Sequence, residues 1–157
     1  MCNLKEKLKV VFLDYDGVVN VPMWNEEGTR CEYAWPKDNK VNCFQACQWV
    51  SEFCQKFGYK IVVTSTWRSH DNYIDCLYNG GLRKNIEVIG KTPHLHKGTR
   101  TDEIKMWLNE HPEVDDYIIF DDDIIEGLEH KQILCGCYGF DGDKYEEAMK
   151  LIGKFSL

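Results

Sequence analysis

The chain has no apolar run long enough to cross a bilayer, and its start, Met1-Cys2-Asn3-Leu4-Lys5, lacks the apolar core of a secretory signal. No membrane association is expected, and the expected compartment is the cytoplasm. Low-complexity tracts, internal repeats and linkers are also missing, so residues 1–157 are expected to form a single domain around one core. The eight cysteines (Cys2, Cys31, Cys43, Cys47, Cys54, Cys76, Cys135 and Cys137) include no CxxC pair. Reduced, buried thiols are the plain reading; a zinc site built from Cys135, Cys137 and a histidine is the other. Positive charge is short: 19 Lys and Arg stand against 26 Asp and Glu, a net charge of −7. That excludes a nucleic-acid coat built on broad electrostatics, but not a nucleic-acid end held in a local pocket. No obligate protein partner is evident.

What is present is an alternation of short apolar strands and amphipathic helices. Lys9–Leu13 is a β-branched, buried strand. Residues 19–38 are mixed polar and aromatic, with a turn signal at Asn25-Glu26-Glu27-Gly28, and are expected to form a flap. Asp38 or Asn39 is expected to cap a helix whose apolar face runs from Val41 to Phe57 and which ends at Gly58. Strands are expected at Lys60–Thr64, Ile86–Ile89, Tyr117–Phe120 and Ile133–Cys135. Helices are expected over Asp71–Tyr78, Thr101–Glu110 and Tyr145–Ile152. This order predicts an α/β, Rossmann-like parallel sheet with helices on both faces.

The first strand stops at two carboxylates, Asp14 and Asp16, followed by Gly17. Acids this close repel each other unless a cation or a shared proton relieves them. The carboxyl end of a strand is also where open α/β sheets bind ligands. Asp121, Asp122 and Asp123 end the fourth strand in the same way. Phosphate chemistry or a metal fits both strand ends.

Taken in order, Asp14-Tyr15-Asp16-Gly17, Thr64-Ser65-Thr66-Trp67-Arg68, Gly90-Lys91-Thr92-Pro93, Arg100-Thr101-Asp102-Glu103-Ile104 and Phe120-Asp121-Asp122-Asp123 resemble the haloacid dehalogenase-like (HAD) hydrolase superfamily. Within it, they are most similar to the small domain of Swiss Army knife RNA-repair proteins. The resemblance implies a Mg²⁺-dependent phosphatase acting through a phosphoaspartyl intermediate. Asp14 would attack phosphorus, and Asp16 would protonate the leaving oxygen and later take a proton from water. Thr64 or Ser65 would bind a phosphate oxygen. Lys97 or Arg100 would supply the neutralising cation, with Arg100 the better match. Asp14, Asp121 and Asp122, with the backbone carbonyl of Asp16, would hold Mg²⁺.

Two readings of Trp67 and Arg68 stand side by side. Trp67 stacks on a base and Arg68 reaches a second phosphate, or Trp67 lies in the core and Arg68 pairs with Asp123. The segments after the first two strands have no room for a large cap, so an open site is expected. Trp24, Tyr33, Trp35, Trp67 and Arg68 are expected at its rim. The substrate is expected to be a phosphorylated molecule, with a nucleic-acid end suggested by analogy. A non-catalytic phosphate-binding or regulatory module on the same fold is the alternative. A phosphotransferase would need a water-excluding cover that the chain lacks.

Overall fold

The computed structural model describes residues 7–22 and 39–155. Asp38 and the body of the expected flap, with Trp24, Tyr33 and Trp35, lie outside the described residues, as do Cys2 and Cys31. The described elements are β1 (Leu8–Leu13), α1 (Phe44–Phe57), β2 (Lys60–Val63), α2 (Tyr73–Gly80), β3 (Val88–Lys91), α3 (Arg100–Glu110), β4 (Val114–Asp121), β5 (Gln132–Leu134) and α4 (Gly142–Phe155). The five strands pair in parallel in the order β3-β2-β1-β4-β5. This is the expected Rossmann-like arrangement, with no large cap. No described helix is long and apolar enough to cross a membrane.

Strand alternation sorts the core into two layers. Val11, Leu13, Ile61, Val63, Ile118 and Phe120 face one side, where they meet Val50 and Phe53 of α1, Leu77 of α2 and Ala148 of α4. Val10, Phe12, Val62 and Ile119 face the other side and meet Ile104 and Trp107 of α3. Edge-to-face contacts tie a helix to the sheet in each layer, Phe53 on Phe120 at 5.3 Å and Trp107 on Phe12 at 5.5 Å between centroids. The reason α3 stands alone on its face is topological. β1, β2 and β3 step outward in one direction, whereas β4 and β5 step in the other, so a right-handed crossover from β3 to β4 passes behind the sheet. The reversal falls between β1 and β4, which makes the carboxyl ends of those strands the switch point of the sheet.

Some boundaries differ from the sequence-based expectation. Neither Asp38 nor Asn39 begins α1. Its N-cap is Cys43, whose Sγ accepts from the Ala46 N–H at 3.4 Å. The preceding residues are held elsewhere: Asn42 N–H donates to Asn20 Oδ1 (3.0 Å), Asn42 Nδ2 donates to the Val21 carbonyl (2.8 Å), and Cys43 N–H donates to the Val19 carbonyl (3.0 Å). Residues 19–21, at the start of the expected flap, and residues 42–43 are therefore pinned together. β3 lies two residues later than Ile86–Ile89, because Ile86 closes a turn onto the Arg83 carbonyl and buries its side chain. Cys43, Cys47, Cys54, Cys76, Cys135 and Cys137 are free thiols. The zinc reading is corrected: among the described residues no group of closely placed metal-ligand side chains contains Cys135 or Cys137.

A buried guanidinium joins two of the loops at the carboxyl ends of the strands to α3. β2 runs into a 3-10 turn over Thr66–Ser69, and Arg68 in that turn is only 5% exposed. Its Nη1 donates to the carbonyls of Thr64 (2.7 Å) and Ser65 (2.9 Å), and its Nε to that of Thr92 (3.0 Å). Its Nη2 donates to Glu103 Oε2 of α3 at 3.0 Å. Removing one partner of such a buried pair leaves the other charge uncompensated, at a cost of about 3–5 kcal/mol. Arg68→Ala is expected to lower the unfolding free energy in urea by that amount. Arg68→Lys recovers little, because an ammonium cannot reproduce the planar fork. A loss below about 1 kcal/mol for Arg68→Ala, the size of an exposed pair, would contradict this role.

Candidate active site

The register of the sheet assembles the site. Leu13 stands beside Val63 and Phe120, so the next residue of each strand, Asp14, Thr64 and Asp121, arrives at one level. The ladder continues there, with Asp14 N–H donating to the Phe120 carbonyl (3.1 Å) and Thr64 N–H to that of Leu13 (2.9 Å). The two-residue period of a strand then puts these side chains on the face covered by α3. Arg100 is the first residue of that helix. Its start is fixed by a capping box in which Thr99 Oγ1 accepts from Asp102 N–H and Asp102 Oδ2 accepts from Thr99 N–H.

Arg100 Nη1 lies 2.7 Å from Asp121 Oδ2 and 3.3 Å from Asp14 Oδ2. Asp14, Asp121 and Asp122 can each place a carboxylate oxygen within 4.8 Å of the other two. One guanidinium does not balance three acids. Burial, then Asp121, drives the Asp14 pKa well above its ordinary value; Arg100 opposes the rise and Asp122 adds to it. Asp122 is raised as well, by burial and by Asp121 and Asp123, with a hydrogen bond to Asp14 acting the other way. Burial works against the Arg100 cation, but Asp14 and Asp121 outweigh it and push its pKa up. Carboxylate oxygens that repel one another in a partly buried cluster suit a hard divalent cation.

Asp16 lies outside that carboxylate cluster. Asn20 Nδ2 donates to its Oδ1 at 2.9 Å, and the indole N–H of Trp67 to its Oδ2 at 3.4 Å. Between the two acids and Asp122 the chain needs glycine. Gly17 has φ +82°, and a Cβ there would fall 2.2 Å from Asp122 Oδ2. Asn20 is a residue that the motif reading missed. Its signal is the spacing of four from Asp16, which a tight turn brings back to the acid.

The two hydroxyls after β2 separate clearly. Ser65 Oγ is engaged as the cap of the 3-10 turn, accepting from Trp67 N–H at 3.2 Å. Thr64 Oγ1 is buried and has no hydrogen-bond partner among the described residues, a condition that a ligand oxygen would relieve. Lys97 is not brought to the acids. It is exposed and has no ion pair among the described residues, whereas Arg100 meets two of the three carboxylates.

The rim expectation for Trp67 and Arg68 is corrected. Trp67 is 6% exposed and packs on Tyr15 at 5.4 Å between centroids, so no face is open for a base. Arg68 pairs with Glu103 rather than Asp123, and its remaining N–H groups go to backbone carbonyls. Asp123 instead donates its N–H to Asp121 Oδ1 at 2.9 Å, fixing that carboxylate.

No curated protein and no solved structure matches the chain. A family model described as the HAD domain in Swiss Army Knife RNA repair proteins matches residues 10–135. That span runs from β1 to the residue after β5 and contains every acid, hydroxyl and cation described above. With most of its length matched, the chain belongs to the HAD-domain family of the Swiss Army Knife RNA repair proteins.

Proposed function

We propose that the chain is a Mg²⁺-dependent phosphohydrolase that forms a phosphoaspartyl intermediate on Asp14 and accepts phosphates at nucleic-acid ends in an open site. The observation that carries this reading is the buried Thr64 hydroxyl, which has no partner among the described residues and follows β2 at the level of Asp14. A polar group in that state calls for a ligand oxygen, and the Arg100 guanidinium, 3.3 Å from Asp14 Oδ2, is placed to meet a phosphoryl group carried on Asp14.

In this reading an ionised Asp14 oxygen attacks phosphorus and the bond to the leaving oxygen breaks, giving an acyl phosphate. Asp16, oriented by Asn20 and the Trp67 indole, gives its proton to the leaving oxygen. The resulting Asp16 carboxylate then takes a proton from water as the water oxygen attacks the same phosphorus. The acyl phosphate bond breaks, inorganic phosphate leaves, and Asp14 is regenerated. Thr64 Oγ1 donates to a phosphoryl oxygen, and Arg100 stabilises the charge spread over the others. Asp14, Asp121 and Asp122, with the backbone carbonyl of Asp16, would hold Mg²⁺. When bound, it neutralises the carboxylates and the developing phosphoryl charge. The family description supports a nucleic-acid end as the substrate. The net charge of −7 means that such an end is recognised by local contacts rather than by long-range attraction.

The experiment is turnover of aryl and alkyl phosphates with Mg²⁺ or with excess chelator. Asp14→Asn is expected to abolish turnover while the protein stays folded. Asp16→Asn is expected to slow alkyl phosphates by roughly a hundredfold more than nitrophenyl phosphate, whose leaving oxygen needs little protonation. Full activity in chelator, or activity of Asp14→Asn within tenfold of wild type, would overturn the reading.

The charge balance also predicts a pH dependence of stability. Because the folded state raises the Asp14 pKa above 3.8, it holds a proton that the unfolded chain has already released. Without metal, the Asp14 contribution to stability therefore falls as pH rises from the ordinary carboxylate value through the raised one. Asp14→Asn is expected to melt above wild type at pH 7 in chelator, with the difference shrinking towards pH 4. If the variant melts below wild type at pH 7, the cluster is not under the electrostatic stress described.

A further inference from the structure

Two adjoining cavities open beside the acidic cluster. One, of about 550 Å³, reaches Arg100 and has Leu95 and Ile124 on its walls. The other, of about 400 Å³, reaches Lys91 and Pro93. Thr66, Arg68 and His94 line both, so the two adjoin there as a trough with Arg100 in one half and Lys91 in the other. Each has the size of a small-molecule site, in the range of about 300–1,000 Å³.

The trough carries a cation in each half, Arg100 and Lys91, with His94 between them. Lys91 closes β3, level with Val63 of β2, and is thus held at the same edge of the sheet as the acids. Its Nζ donates to the Arg68 carbonyl at 3.0 Å and sits 5.0 Å from the centre of the Tyr73 ring. That geometry fixes the ammonium while leaving donors for a further acceptor. The His94 side chain is 77% exposed. On the floor Arg68 and Glu103 pair with each other, and Glu103 Oε2 also lies 3.8 Å from His94 Nδ1; Asp123 is an exposed carboxylate on the inner wall.

We propose that this trough holds the remainder of a nucleic-acid end, with Lys91 and His94 as the specificity-determining residues that bind the first phosphodiester beyond the reacting phosphate. The proposal rests on the reading above for the reacting phosphate itself. A cation in each half of a trough lined by Thr66 and Ser69 suits a ligand that carries a second phosphate beyond the reacting one. A phosphopeptide offers one phosphate and leaves Lys91 unmatched.

The test is binding of labelled trinucleotides bearing a terminal monophosphate at either end, followed by fluorescence anisotropy in chelator over a range of salt. Lys91→Ala is expected to weaken binding of the preferred trinucleotide roughly tenfold, the worth of one charge-assisted contact. It is also expected to lower the slope of log affinity against log salt by about one. Lys91→Arg keeps most of both, and His94→Ala, with its largely exposed side chain, weakens the trinucleotide more than a mononucleotide competitor. An unchanged salt slope in Lys91→Ala, equal losses for trinucleotide and mononucleotide, or a phosphopeptide that competes as well as the trinucleotide would each overturn the proposal. Because binding is read without turnover, failure here is distinguishable from failure of the hydrolase reading, which shows as absent nitrophenyl phosphate turnover.

Discussion

At the switch point of the sheet three carboxylates crowd one another, and among the described residues a single guanidinium pairs with them. Asp14 and Asp121 arrive there because β1 and β4 are neighbours in parallel register, and Asp122 follows on the next residue. Arg100 arrives because the crossover through α3 passes on the face to which those side chains point. The repulsion is unfavourable to the fold, yet the backbone around it is fully committed. Gly17 leaves room for Asp122, Asp123 N–H holds Asp121, and Asp14 N–H belongs to the β1–β4 ladder. An arrangement of acids held so close under such constraint is poised to take a cation.

The surroundings are built to keep that geometry. Two apolar layers fix the strands, and Asn20 is bonded both to Asn42 and to Asp16. The Arg68–Glu103 pair ties the turn after β2 and the loop after β3 to α3, whose first residue is Arg100. Buried polar groups thus act here as braces between loops, positioned so that the acids need not carry the load of holding them together.

Much of this is legible in the sequence, and the exceptions have physical causes. The strands and their order follow from short β-branched runs that alternate with amphipathic helices. The convergence of Asp14, Asp121 and Arg100 follows from that order. The start of α1 does not, because Val41 is apolar and in phase with the helix, yet it is buried in the loop before it, its N–H bonded to the Cys76 carbonyl. β3 is misplaced because Ile86 carries the apolar pattern of a strand while closing a turn. Trp67 and Arg68 look like ligand-binding groups because both types are common at nucleic-acid surfaces. Only tertiary structure reveals that Glu103, 35 residues away, takes the guanidinium and that Tyr15 takes the ring.

The account stands or falls on a covalent bond between phosphorus and Asp14. During turnover of a phosphate monoester in Mg²⁺, rapid quenching followed by borohydride reduction converts an acyl phosphate on aspartate to homoserine. Peptide mass mapping is predicted to find homoserine at position 14 alone, in wild type and not in a sample without substrate. Turnover at full rate with Asp14 recovered unmodified, or homoserine formed at Asp16 or Asp121 instead, would contradict the account.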